Sequence, residues 1–310
     1  MQNSLRENYL KEGYIIFKSL ISNKKINKIL DELEIFKKNN KLYYSQSEHN
    51  WRKIKNDLDK FGLLECSFEN FTDLPWGREL SKAGREILQS KEILDALRRI
   101  SNYKDFCMWQ NMFFDKSTGT IDHIDSWYLD TNPMGKLVAA WIALEDIDGE
   151  GGSFHIYPGS HLAIPDEWAK LNHNDFAKWS TKICEKFNKK PIYLKKGDIL
   201  LWHPLLLHGS SSQKVKGKSR KSLTAHYHPI NYLRGGRGLN EKMGTIKYKK
   251  ALKKQISSSR NYGYEIFCRD SRRLNTKTCL GGALKYHFNL YNRPHMLMNR
   301  LKYNFKKNKN

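Results

Sequence analysis

GDILLWHPLLLHGS, residues 197–210, and RKSLTAHYH, residues 220–228, decide the architecture. Both are short apolar or alternating runs bounded by Gly, Pro, Ser and Lys, which reads as strand rather than helix. The same texture recurs in FCMWQNMFF (106–114), KLVAAWIAL (136–144), SFHIY (153–157) and KPIYL (190–194), with Gly, Pro, Asn and Asp between the runs. Several short strands separated by turn residues predict a β-sandwich or barrel. Before Ser101 the period changes. The segment SNKKINKILDELEIFKK (22–38) places Ile26, Ile29, Leu30, Leu33 and Phe36 at three- and four-residue spacing, with Ser22 or Asn23 positioned to cap a helix. A short strand is expected between this helix and an earlier one that starts near Ser4. A further helix is expected over LSKAGREILQSKEILDALRRI (80–100), whose stripe is Leu80, Ile87, Leu88, Ile93, Leu94 and Leu97. The expected fold is therefore mainly β with flanking helices: helices first, then a jelly-roll-like core.

At 310 residues the chain can bury one large core with an appendage. Its 39% hydrophobic and 12% aromatic content belongs to a folded protein. No run approaches the roughly eighteen apolar residues of a membrane helix, and the first residues lack a signal-peptide apolar stretch, so the cytoplasm is the expected location. Cys66, Cys107, Cys184, Cys268 and Cys279 are odd in number and widely spaced, which argues against a disulfide framework and against a zinc ribbon. The net charge of +23 is uneven. From Ile230 to the end there are 20 Lys/Arg and 3 Asp/Glu, a net of +17, against +6 for the first 229 residues. That shift divides the chain into a core domain over 1–229 and a basic C-terminal extension over 230–310. The tail HMLMNRLKYNFKKNKN (295–310) fits a short basic amphipathic helix. An anionic membrane surface, with the protein peripheral to it, is a partner that suits such a segment, and an ordinary C-terminal cap with a solvated basic face is the other reading. Nucleic acid is the weaker alternative, since no recognised binding motif accompanies the charge.

The chemistry centres on TIDHIDSWYLD (120–130). His123 and Asp125 stand two apart, so on a strand they project from one face. A third ligand is available 85 residues later at His208, where a strand ends at Gly209. Two histidines and one carboxylate on one face of an octahedron, with positions left open, is the donor set of a non-haem Fe(II) oxygenase. Arg220 and Ser222 share a strand face shortly afterwards. An arginine grips a carboxylate through paired hydrogen bonds and a neighbouring hydroxyl adds another, which suits the distal carboxylate of 2-oxoglutarate. Other histidines compete for the ligand positions: His226 and His228 alternate along one strand, His203 precedes Pro204, and His155 and His161 flank a turn.

With those residues in place, the chain resembles the phytanoyl-CoA dioxygenase family from about Tyr9 to Pro229. The likeness runs through YLKEGYIIFKSLISNKKINKIL, HIDSW, VAAWIALEDIDGEGGSFHIYPGSH, GDILLWHPLLLHGS and RKSLTAHY, in that order. The resemblance implies a double-stranded β-helix (jelly-roll, cupin-like) core, His123, Asp125 and His208 as iron ligands, and Arg220 as the 2-oxoglutarate anchor. It also implies that Lys116, Trp141 and Ser210 line the co-substrate pocket. Halogenating members carry a small residue in place of the carboxylate. Asp125 therefore points to hydroxylation, or desaturation, of a small or medium-sized organic substrate, with Fe(II) as the cofactor and 2-oxoglutarate and O2 consumed as co-substrates. The alternative is a non-catalytic β-sandwich binding protein that keeps the fold without turnover.

Overall fold

The structure is a computed structural model that describes residues 2–38, 43–45, 53–55, 58–73, 78–235, 244–261 and 263–269. The tail 295–310 and most of the basic extension lie outside the described residues. In chain order, helix α1 (Gln2–Glu12) leads to strand β1 (Tyr14–Phe17) and helix α2 (Asn23–Lys38). Strands β2 (Tyr43–Ser45) and β3 (Lys53–Lys55) pair with each other, and β4 (Phe68–Glu69) follows. Helices α3 (Arg78–Leu88) and α4 (Lys91–Ile100) precede β5 (Phe106–Phe114), β6 (Asp130–Asn132), β7 (Val138–Ala143) and β8 (Phe154–Ile156). After α5 (His173–Cys184) come β9 (Lys190–Ile192), β10 (Ile199–Trp202), β11 (His208–Ser210), β12 (Ser222–Pro229) and β13 (Leu233–Gly235). Helix α6 (Thr245–Ser257), β14 (Ser259–Arg260) and β15 (Phe267–Arg269) complete the described elements.

The stretch 80–100 is two helices rather than one. Ser90 is the reason: its backbone is extended, and its hydroxyl accepts from the Ile93 amide at 3.4 Å, so it caps α4 and ends the preceding run. Both helices still present their apolar stripe to the core. Leu80, Ile87, Leu88, Ile93, Leu94 and Leu97 are all buried.

The large sheet has the order β1-β10-β7-β12-β5-β15-β14, with β4 also paired to β5. Its neighbours are antiparallel where β1, β10, β7, β12 and β5 meet, while β15 runs parallel to β5. A second sheet, β11-β8-β9, faces it, and β6 pairs with β13. Alternation along the strands divides the core into two layers. On the outer face Val138, Ala140, Ile142, Leu201, Leu223, Ala225 and Tyr227 join the helix residues Ile26, Ile29, Leu33, Ile87 and Leu97 in one apolar cluster. On the inner face Ala139, Trp141, Ala143, Leu200 and Trp202 pack against Phe154, Ile156, Ile192 and Leu194 of the second sheet and its approaches. This is the jelly-roll core with flanking helices expected from the sequence. The composition boundary at Pro229 coincides with the end of β12, and the described elements beyond it, up to Cys268, belong to the same compact unit as the core.

Candidate metal and co-substrate site

His123, Asp125 and His208 come together between the two sheets. One ligand atom from each lies within 4.8 Å of the others, and no other such group occurs among the described residues. His123 Nε2 is 3.8 Å, and His208 Nε2 3.6 Å, from Asp125 Oδ1. Local backbone sets this up. His123 and His208 form an isolated antiparallel bridge with reciprocal amide-to-carbonyl bonds of 2.9 and 3.0 Å. Asp125 does not lie on a strand, as the spacing had suggested. It opens a 3-10 turn over Asp125–Trp127, whose carbonyl receives the amides of Tyr128 and Leu129. His208 likewise starts a strand, β11, instead of ending one.

The remaining atoms of the three side chains are already engaged. His123 Nδ1 contacts the Ile121 carbonyl at 2.8 Å and His208 Nδ1 the Leu206 carbonyl at 2.9 Å. A carbonyl accepts only, so each Nδ1 carries the proton and each Nε2 presents its lone pair to the centre. Asp125 Oδ2 accepts from Trp202 Nε1 at 2.9 Å, which leaves Oδ1 free to act as a ligand. Burial alone would raise the Asp125 carboxyl, but its electrostatic attraction to the surrounding imidazoles outweighs burial and holds the carboxyl below the usual range. His208 is pushed down to about 4 by burial and by His123, so it is neutral and able to bind metal near pH 7.

His226 is the member of the centre that the sequence left among the competing histidines. It is buried, its Nε2 is 3.5 Å from Asp125 Oδ1, and neither ring nitrogen has a hydrogen-bond partner. His203, His155 and His161 are elsewhere. His155 lies against Asp122, whose other oxygen accepts from Tyr157, and His161 Nε2 contacts the Leu10 carbonyl at 2.9 Å. The ring of His203 is 5.0 Å from that of His161. The Asp122 and His155 side chains cover Gly209, where an added Cβ would fall 2.5 Å from Asp122 Oδ1 and 2.9 Å from His155 Nε2. The outer face of the minor sheet is thus filled directly behind His208.

Arg220 is buried at 3% exposure with Nε and Nη1 unpartnered, its guanidinium carbon 5.6 Å from the Phe114 ring centroid and 5.7 Å from that of Trp141. Burial lowers its guanidinium to about 10, still fully charged at neutral pH. A buried cation with unsatisfied donors between two aromatic walls has the chemistry to receive an anion. Ser222 lies alongside, fully buried, its hydroxyl 3.3 Å from the Arg220 carbonyl. Ser210 Oγ accepts from the Thr120 amide at 2.9 Å. Lys116 is held by Asp59 at 2.8 Å and Glu65 at 3.0 Å. The N2O donor set suits Fe(II), and the Arg220 cradle suits the distal carboxylate of 2-oxoglutarate.

Residues 9–222 match the sequence profile of the family described as phytanoyl-CoA dioxygenase. Among curated relatives, the peroxisomal phytanoyl-CoA dioxygenase of Homo sapiens is 32% identical over 115 residues, which is 34% of this chain and 32% of that protein. The chain thus matches about a third of that relative's length. A phytanoyl-CoA dioxygenase domain-containing protein 1 homolog of Caenorhabditis briggsae is 22% identical over 262 residues, 72% of this chain and 90% of that one. Among solved structures, the epimerase SnoN, in complex with Fe3+, alpha ketoglutarate and nogalamycin RO, superposes with a TM-score of 0.56 at 16% identity, covering 79% of this chain and 91% of that one. That likeness establishes the fold.

Proposed function

The chain belongs to the phytanoyl-CoA dioxygenase family, and from that premise we propose that it is an Fe(II)- and 2-oxoglutarate-dependent dioxygenase that hydroxylates a small or medium-sized organic substrate. The observation that carries the reading is the pairing of two features in one β core: three convergent ligand atoms, and a buried guanidinium whose Nε and Nη1 lack partners. Each explains the other. An arginine costs free energy in that position unless a carboxylate joins it, and 2-oxoglutarate is a carboxylate that also chelates iron.

In this reading His123 and His208 hold iron through Nε2 and Asp125 through Oδ1. Bound Fe(II) with O2 supplies the oxidising power that converts R–H and 2-oxoglutarate into R–OH, succinate and CO2. The chain's own residues orient and exclude. Trp202 fixes the Asp125 carboxylate, and the carbonyls of Ile121 and Leu206 fix the two imidazoles. Arg220 would grip the distal carboxylate, with Ser222 assisting and Trp141 walling the pocket. Lys116 and Ser210 would lie at its edge. Asp125 fills the carboxylate position, which favours hydroxylation or desaturation over halogenation. The same fold serves an epimerase, so the reaction type follows from the site and not from the fold. The experiment is oxygen-dependent release of CO2 and succinate from 2-oxoglutarate by the Fe(II)-loaded chain. Loss of that release in Asp125→Ala supports the reading, and undiminished release in the same variant overturns it.

The basic extension is proposed as a peripheral contact for an anionic membrane. No helix among the described residues is long and apolar enough to cross one. Helix α6 instead exposes Lys247, Lys249, Lys250, Lys253 and Lys254, with Ile246 at 86% exposure. Each lysine near an anionic surface contributes about 1 kcal/mol. Salt-sensitive sedimentation with phosphatidylserine vesicles, and none with phosphatidylcholine alone, is the expected result. Equal binding to both vesicles contradicts it.

A further inference from the structure

The metal-facing side of β12 continues past His226. Two residues on, His228 projects from the same face and is completely buried. Its Nδ1 is 3.0 Å from the Pro229 carbonyl, so the proton is on Nδ1 and Nε2 accepts, and Arg234 Nε donates to that Nε2 at 3.2 Å. Burial and the adjacent Arg234 push His228 down to about 3, so this imidazole stays a neutral acceptor. The Arg234 guanidinium carbon is 5.7 Å from the Trp109 ring centroid, and Nη2 makes only a 3.7 Å contact with Cys107 Sγ. Its backbone is fixed as well. Arg234 pairs with Thr131 on β6, whose first residue follows Asp125 by five, and its amide donates to Gln255 Oε1 at 2.8 Å. Among the described residues no carboxylate forms an ion pair with this half-buried arginine.

Two guanidinia therefore bracket the metal centre along one strand face. Arg220 lies just before the first residue of β12, His226 is beside Asp125, and Arg234 sits at the far end on His228. We infer that Arg234 is the substrate's anion site: it receives a carboxylate or phosphate group of the molecule to be hydroxylated. That anion lies about one strand repeat, roughly 7 Å, beyond the metal-facing His226, which places the oxidised carbon several bonds from the charge. Half-buried Gln110 lies across from His226 in the register, and the Trp109 ring lies 6.4 Å from that of His228. The inference rests on the iron and 2-oxoglutarate reading of the centre for its identification of the ligand as substrate, while the anion site itself is a property of the chain alone.

The test measures binding by calorimetry of hexanoate, hexyl phosphate and the neutral hexanamide to the full chain, with and without Fe(II) and 2-oxoglutarate under anaerobic conditions. At least one anion is expected to bind and the amide to bind at least about tenfold more weakly, with Arg234→Gln erasing the difference and Arg234→Lys retaining part of it. Arg234→Gln should leave 2-oxoglutarate affinity within about threefold of the parent, since Arg220 serves that ligand. Unaltered anion binding in Arg234→Gln, absence of binding by both anions, or no preference over hexanamide each overturns the inference and leaves the co-substrate reading intact. The converse failure is separable. If 2-oxoglutarate weakens in Arg234→Gln and not in Arg220→Gln, Arg234 is the co-substrate anchor, and both the substrate assignment and the role given to Arg220 fall.

Discussion

Replacing Arg220 by methionine separates the cost of a buried cation from its purpose. In the free chain Arg220 is buried with Nε and Nη1 unpartnered, and each unsatisfied buried donor costs about 1–3 kcal/mol. Methionine removes that cost and forfeits the contacts with Phe114 and Trp141, worth about 0.5–2 kcal/mol. The metal-free variant should therefore be more stable than the parent, by on the order of 1 kcal/mol or a Tm rise of about 2–4 °C. Binding goes the other way. A buried carboxylate left without its cation costs about 3–5 kcal/mol, and at about 1.4 kcal/mol per tenfold this weakens 2-oxoglutarate roughly a hundredfold to several thousandfold. Fe(II) affinity should hardly change, because Arg220 touches none of the three ligands. Anaerobic calorimetry of Fe(II) and then 2-oxoglutarate, alongside thermal unfolding of both proteins, reads all three quantities. A variant that binds 2-oxoglutarate within about threefold of the parent, or that melts well below it, refutes the reasoning.

Trp202→Phe removes the 2.9 Å donor to Asp125 Oδ2 while keeping an aromatic ring, so Fe(II) affinity should fall about 10- to 100-fold with the fold intact; an unchanged affinity shows that the carboxylate needs no such support. Gly209→Ala drives a methyl into Asp122 and His155 behind His208, and a loss of about 1–3 kcal/mol in urea unfolding is expected; a silent substitution means the side chains yield freely. Burial pushes His203 and His228 down to about 3 from an ordinary value of about 6.5, so between those values the unfolded chain binds protons that the folded chain excludes. Stability from this source is complete above pH 6.5 and drains away as pH falls towards 3. His203→Asn should flatten the fall of the urea midpoint in that window, and an identical slope in the variant contradicts the assignment.

The strands were legible because alternation and turn residues are local. Trp141 and Leu200 face one way and Ile142 and Leu201 the other, as period two requires. The break at Ser90 was hidden because the apolar stripe continues across it, and only the cap separates the helices. Within the site, which three side chains converge could be read from residue type and order, but their geometry could not. The 3-10 turn at Asp125 arises from backbone bonds to Tyr128, Leu129 and, through Ser126, Pro204, which no spacing rule encodes. Trp202 looked like one more apolar residue in a strand run, since its indole N–H matters only once β10 lies beside Asp125. Lys116 is the same lesson in electrostatics: its partners Asp59 and Glu65 come from more than fifty residues away.

The central claim is that His123, Asp125 and His208 hold one iron on which 2-oxoglutarate is anchored by Arg220. Anaerobic titration of 2-oxoglutarate into the Fe(II)-loaded chain tests it directly through the visible charge-transfer band of the iron chelate. A saturable band at one iron per chain is expected, absent in Asp125→Ala and displaced to far higher 2-oxoglutarate concentration in Arg220→Met. No band in the parent at saturating iron and 2-oxoglutarate, or the same band in Asp125→Ala, would contradict it.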